Sequence, residues 1–572
     1  MANDYYHDEL IYLRELGREF ARANPEAAKF LAEPGADPDV ERLLEGVAFL
    51  TGRVRQKLDD ELPELTHALL EALWPHYLRP LPAMTILQFE TTGPTQRETV
   101  RLPAGTLVDA VPIDGTACRF RTAYPVEIPP LRLERVEVEH GSPGRIRIAL
   151  RLREGVTCAR LGLDRLRLHL AGEPALARAL QLCLDRHVTR VEAVAGNARC
   201  ALRLERVGFA PDEALLPFPG GSSSGFRHLQ EYFAFPSKYQ FIDVVGLGAL
   251  AGLGDAAALT IELALDRVPT SLPPITAANL LLSCAPAVNL FEHDADPIAY
   301  DRLRSEYRVR PSGHDPAHYE VHSVVRVQGL VRGEREPRTY HPLFHLGRTP
   351  PAEVAYYQER RRPAVLGGGA DHYLSLRDPP GTAAANETLS IQLLCTNRQL
   401  PAQLGIGDIR VATRQLPPGV AVRNLSVPTA AVSPVLAGDL HWRLLSHLTM
   451  NYSSVLDVAA LRRLLGLYDL RALVDRQAEH THQRLVEAIV AVHAEPATRL
   501  HEGVPIRGLG ITIEIEGDRL GGVGEAHLLG AVLNEFVAQY VSLNAFTALS
   551  VRVVPSGDVL TWPPRLGRRA LL

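Results

Sequence analysis

The hydrophobic period of this chain changes near Met84, and that change limits the possible folds more than any other feature. Upstream, apolar residues recur at spacings of three and four; downstream they alternate. A helix returns to one face every three to four residues and a strand every second residue, so neither stretch suits the other's structure. The chain therefore reads as α+β and multidomain, with long N-terminal helices, central antiparallel β-rich domains and a C-terminal α/β sandwich domain. Its 572 residues exceed what one core holds. The expected divisions are a helical region at 1–82, β-rich structure at 83–286, a central β-rich domain at 287–400 and an α/β domain at 401–572.

In the first helix Tyr6, Leu10, Leu13, Gly17 and Phe20 form a narrow apolar seam. A second helix is signposted by Asp37 as cap and Pro38 at the first helical position. Its stripe is Val40, Leu43, Leu44, Val47, Leu50, Val54 and Leu58, and a further helical stretch runs from Glu61 to Tyr77. Such stripes suit either an internal core or a bundle shared with another chain, because the seams are near heptad spacing. Tyr6, Leu10, Leu13 and Phe20 are accordingly interface candidates.

Beyond Met84, the segments 131–139, 145–153 and 166–170 alternate cleanly, the mark of antiparallel strands with one wet face. Arg145, Arg147, Arg151 and Arg153 invite a nucleic-acid reading, but no aromatics interleave to stack bases, and Glu134, Glu137 and Glu139 are at hand to pair with them. The densest aromatic block holds Tyr232, Phe233, Phe235, Tyr239 and Phe241. Core packing or an interface anchor accounts for it, since both use rigid aromatic area. Residues 361–386 read as loop, 475–493 as helix, 508–517 as strand and 527–546 as helix before a final strand.

Between Ala287 and Arg310 an apolar lead ending at Phe291 meets an acidic knot of Glu292, His293, Asp294 and Asp296. An amphipathic turn or two is expected from Ile298 to Tyr307, with a basic exit through Arg302, Arg304, Arg308 and Arg310. One reading is a metal-dependent hydrolase centred on Glu292 to Asp296. The other is a structural corner. The stretch lacks the length and glycine of a calcium loop and the ligand spacing of a zinc site.

Other chemistry is hard to find in the sequence. No GxSxG, HExxH, GxxxxGK[ST] or strand-following GxGxxG occurs, so no catalytic, cofactor or metal residues are assigned. A net charge of -5 gives no general case for nucleic acid. None of the six cysteines forms a CxxC pair, which fits a reducing compartment. No basic-then-apolar leader opens the sequence, and no run of roughly 18 apolar residues occurs. A cytoplasmic protein without membrane insertion is expected.

Several blocks together resemble the TssF family of the bacterial type VI secretion system, also called VasA or ImpG. They are YYHDELIYLRELGREFA, LTHALLEALWPHYLRPLPAM, LPAGT with CRFRT, and LQEYFAFPSKYQFIDVVGL. VNLFEHDADPIAYDRLRSEYRVRPS, LLCTNRQLP, WRLLSHLTMNYSSV and HLLGAVLNEFVAQYVSLNAFT follow in order over nearly the whole length. The resemblance implies a structural baseplate wedge subunit of a contractile, phage-tail-like injection machine. It implies two copies of the chain bound to one TssG through a shared helical bundle, with TssK, TssE and the VgrG hub as further partners. It places the protein at the cytoplasmic face of the inner membrane. It also favours the corner reading, with the acids of the knot held by Arg302, Arg304 or Arg308.

Overall fold

The computed structural model describes residues 2–24, 37–59, 63–93, 96–218, 224–269, 272–313, 316–331, 333, 335–343, 354–364, 369–379, 386–436, 440–449, 457–501, 503–541 and 545–567. The chain forms two compact units. One takes Met1–Leu78 and Val435–Thr449, the other Arg79–Pro434 and Met450–Leu572.

The smaller unit is helical. Its helices are Ala2–Ala23, Pro38–Asp59, Pro63–Leu73 and Leu440–Thr449. The second starts where its sequence says it should. Asp37 Oδ1 accepts from the amides of Asp39 at 3.0 Å and Val40 at 3.4 Å, and Pro38 needs no donor there. Arg14 reaches across from the first helix to Glu41, with Nε 2.8 Å from Oε1. The third helix meets the fourth through the rings of His67 and His441, 5.0 Å apart, over a floor of buried Leu70, Trp74, Tyr77 and Leu444.

The larger unit is built on sheets. In the first, Met84–Thr91 lies between Cys284–Val288 and Val420–Asn424, so strands from three distant parts of the sequence share one ladder. The division expected at 286/287 falls inside Cys284–Val288. The second sheet has eight strands and behaves as its alternation predicts. In Gly144–Leu152 the side chains of Ile146, Ile148, Leu150 and Leu152 are buried in a core shared with the helix Pro174–Arg186. The wet face pairs its own charges: Arg151 with Glu134 at 3.0 Å, Arg147 with Glu139 and with Glu262 at 3.3 Å, and Arg145 with Glu139 at 3.9 Å. Arg153 donates to Thr91 Oγ1 at 2.7 Å.

The third sheet is organised around Glu387–Thr396, flanked by Phe291–Asp294 and Glu320–Val331. Here the expectation of a loop over 361–386 is corrected. Ala355–Pro363 and Ala370–Arg377 are antiparallel strands. Residues 365–368 and 380–385 lie outside the described residues. In the fourth sheet Val504–Glu516 and Ala545–Val554 run parallel, joined by the crossover helix Val523–Val537. That helix stops short of the expected Phe546, which is already strand, and the preceding helix ends at Ala488 rather than at His493. The run Ile489–His501 is instead a strand that pairs with Val504–Glu516. No described helix is long and apolar enough to cross a membrane.

Candidate protein interface

The helical unit leaves a regular set of apolar side chains in water. On Pro38–Asp59, Leu43, Val47, Leu50 and Val54 are 69%, 47%, 64% and 59% exposed, at spacings of four, three and four. On the adjacent seam Val40 and Leu44 are half-buried and Ala48 is fully buried. The first helix repeats the pattern. Of the predicted seam, Leu10 is buried, Tyr6 and Leu13 are half-buried and Phe20 is exposed. Tyr12 and Leu16 extend the stripe of Phe20 and are exposed with it. Leu65, Leu69 and Leu73 form a third exposed row. The side chain of Leu58 is outside the described residues.

The aromatic block is placed differently. Tyr232, Phe235, Tyr239 and Phe241 are buried in the larger unit, and Phe233 is half-exposed. Tyr232 donates to Glu525 Oε1 at 2.8 Å, and Tyr232 and Phe233 border a cleft of about 520 Å³ with Arg178, His482 and Glu525. Inside the block lies a charge network that nothing in the sequence announced. Lys238 is fully buried, and its Nζ donates to Glu231 and, at 3.0 Å, to the Glu213 carbonyl. Glu231 Oε1 also accepts from the Leu215 amide at 2.7 Å. Arg167 forks onto Asp243 at 2.7 and 2.8 Å and reaches Glu213 at 3.1 Å. Burial pulls the Lys238 ammonium below its ordinary range, and Glu231 opposes that. Burial beside Lys238 and Arg227 holds His228 neutral, with its pKa down to about 2.

The central stretch is a corner held mainly by backbone. Phe291–Asp294 pairs with Glu387–Thr396, the Ser312 amide donates to the Asp294 carbonyl at 2.9 Å, and the Asp296 amide donates to that of Arg310 at 2.9 Å. The expected arginine partners of the acids are corrected. Arg302 binds Asp378 at 2.8 Å and Glu387 at 2.7 Å, and Arg308 binds Asp371 at 2.5 Å. Glu292 accepts instead from Gln392 Nε2 at 2.7 Å, and the side chains of Asp294 and Asp296 face solvent. Arg304 is exposed. His293 stacks on Tyr319 with ring centroids 4.7 Å apart. Ile298–Tyr300 and Tyr307–Val309 are short strands, not helical turns. Sequence reasoning also missed Asn289 and Asn397. Both are fully buried, Asn397 N donates to Asn289 Oδ1 at 2.7 Å, and Asn289 Nδ2 returns to Asn397 Oδ1 at 2.8 Å. Among the described residues no three His, Cys, Asp or Glu converge as a metal-holding group, and the hydrolase alternative finds no support.

Three kinds of comparison agree with this geometry. Residues 2–569 match the family model described as "Type VI secretion system, TssF". The chain is 33% identical to the Pseudomonas aeruginosa protein described as type VI secretion system component TssF1, over 624 aligned residues covering 99% of this chain and 98% of that one. A chain in the cryo-electron microscopy structure of the type VI secretion system TssK-TssF-TssG baseplate subcomplex superposes with a TM-score of 0.78 at 31% identity, covering 93% of this chain and 100% of the other. A chain of the baseplate complex from the type VI secretion system gives 0.66 at 30% identity, with both chains fully covered.

Proposed function

The chain belongs to the TssF family and is a structural component of the type VI secretion baseplate, and on that premise we propose that its work is assembly rather than catalysis. The observation that carries this reading is the row Leu43, Val47, Leu50 and Val54, exposed at the spacing of a helical seam. In this reading the row enters a bundle with TssG, which takes two copies of this chain. TssK is a second partner, as in the subcomplex this chain resembles. TssE and the VgrG hub complete the wedge, which sits at the cytoplasmic face of the inner membrane.

The test is co-expression with TssG and mass determination of the purified complex by light scattering. The expected mass is two copies of this chain per TssG. L43E/L50E places two carboxylates in the seam and leaves the buried side of the helix intact, so it is expected to remain folded and to lose TssG. A wild-type chain that stays monomeric beside TssG, or a variant that binds it as the wild type does, overturns this use of the helices.

A further inference from the structure

The cleft beside the aromatic block, of about 520 Å³, falls within the range of about 300–1,000 Å³ in which small ligands are held. Its walls come from the helices Pro174–Arg186, Ser224–Ala234 and Arg476–Ala488 and from the run 519–525. Phe233 and Pro236 give the lining an apolar share. Of the five aromatics of the block, Phe233 alone is left half-exposed, and it is left so here.

Arg178 stands in the wall with its side chain 6% exposed. Its Nε donates to Glu525 Oε2 at 2.9 Å, whereas its Nη1 is buried without a hydrogen-bond partner. A buried donor of a charged group is costly to leave unmade. The acids of the lining are already engaged. Glu525 also accepts from the Tyr232 hydroxyl at 2.8 Å. Asp469 is bonded to His482 at 3.0 Å and accepts from the Ala472 amide at 3.2 Å. Asp475 caps its helix through the Gln477 amide at 2.9 Å. Of the other cations, Arg519 is held by Glu516 at 2.8 Å. Arg471 reaches only the Ala234 carbonyl, at 3.5 Å, and the exposed Arg484 makes no ion pair among the described residues. Three cations with donors to spare thus face one cleft.

We propose that this cleft binds a segment of another baseplate protein that carries one carboxylate beside an apolar side chain, the carboxylate going to Arg178 and the apolar side chain to Phe233. This rests on the scaffold reading above and adds a second joint to it, on the sheet unit. The balance of charge decides what enters. Four arginines and three acids leave the lining, His482 aside, with one positive charge, which suits a single carboxylate. A phosphate-rich ligand would bring several negative charges against Asp469, Asp475 and Glu525, and like charges repel. A carboxylate also matches the planar fork of a guanidinium. A bare anion would leave Phe233 and Pro236 wet, whereas a chain segment brings the acid and its apolar neighbour together.

The test places photoreactive benzoylphenylalanine at Phe233 in the full chain, co-expressed with the remaining baseplate subunits, and identifies the cross-linked peptide by mass spectrometry. The expected adduct is a segment of another baseplate protein with Asp or Glu next to an apolar residue. R178Q/E525Q removes both charges of the buried pair and strands neither, and is expected to cut the yield by about tenfold or more. R484E, on the surface, is expected to lower it several-fold and to flatten its salt dependence, with the melting profile unchanged. The same variants with Phe233 in place are read by dissociation of the purified assembly on dilution, where the same order of loss is expected. Adducts confined to this chain, a partner segment without an acid, a small-molecule adduct or no adduct at all overturn the proposal and leave the scaffold standing. Variants that cross-link and dissociate as the wild type does overturn it equally. A wild-type chain that enters no assembly overturns both.

Discussion

Replacing Lys238 with methionine tests whether the aromatic block depends on its buried charges. Lys238 is 0% exposed and Glu231 1%, so the substitution strands a carboxylate out of water. Breaking a buried pair by removing one partner costs about 3–5 kcal/mol. The Leu215 amide remains on Glu231, and Arg227 Nε stands 3.9 Å away, so part of the charge stays compensated and the lower half of that range applies. The Glu213 carbonyl also loses a donor, about 1 kcal/mol more. We therefore expect about 4–5 kcal/mol. A chain of two units need not unfold in one step, so the local opening of this block is the quantity to measure. Amide exchange of peptides covering 224–245 reports it, and 4 kcal/mol corresponds to roughly 700-fold faster exchange at about 1.4 kcal/mol per decade. The decisive comparison adds E231Q. A glutamine keeps the Leu215 bond without a charge, so E231Q/K238M is expected to recover about 2 kcal/mol of the loss. A double variant that exchanges faster than K238M would refute the claim that an unpaired charge causes the damage.

Other outcomes follow from the same geometry. Burial lowers the pKa of His169 to about 4 and that of His228 to about 2, while both return to about 6.5 on unfolding. The unfolded chain therefore binds more protons below that value. The stability is fully present above about pH 6.5 and is lost as pH falls toward each folded pKa, by up to about 1.4 kcal/mol per pH unit per histidine. Denaturant midpoints between pH 7.5 and 5 check this, and H169N is expected to give a shallower slope. R302A removes one of the cations facing Glu387, whose side chain is 0% exposed, while Arg338 remains at 3.0 Å. It is expected to cost about 2–3 kcal/mol, read as loss of exchange protection in 387–396. D294A is expected to change stability by less than about 0.5 kcal/mol, since the Asp294 carbonyl, not its side chain, holds Ser312.

What was legible in the sequence is what local chemistry decides. Asp37 and Pro38 fix a helix start by themselves, and the alternation of 144–152 fixes which side chains face the core, whatever the partner strand is. The corner shows the opposite case. Ile298 to Tyr307 is short enough to fit a helical or a strand period, and pairing with residues 387–389 and 372–374 decides it. The acids of the knot are close in sequence to Arg302 and Arg308, whereas the partners these arginines take, Asp371, Asp378 and Glu387, are supplied from far along the chain. Nothing near Lys238 indicates that it is fully enclosed, beyond its place as a single cation among aromatics.

The exposed row on Pro38–Asp59 is not a sign of a poorly filled core. Imperfect packing would scatter exposure among the apolar positions, yet here, apart from Phe49 at 53%, exposure follows the geometry of the helix. Val40, Leu44 and Ala48 are spaced by four and turn inward, while Leu43, Val47, Leu50 and Val54 follow a four–three–four rhythm and turn outward. Each successive residue is rotated by about 100° on a helix, so the two rows occupy adjacent stripes, and together they make it apolar over about 160°, wider than the single stripe that a buried face needs. One stripe of that kind completes a fold; the second requires another surface. Burying one Leu or Val fully is worth about 1.5–3 kcal/mol, so four side chains already about half to two-thirds exposed offer several kcal/mol to whatever covers them. That is enough to tie the state of this unit to the concentration of its partner. The helical unit should accordingly melt at a higher temperature with TssG bound than alone, by an amount that rises with TssG concentration, while L43E/L50E melts at the same temperature with or without it.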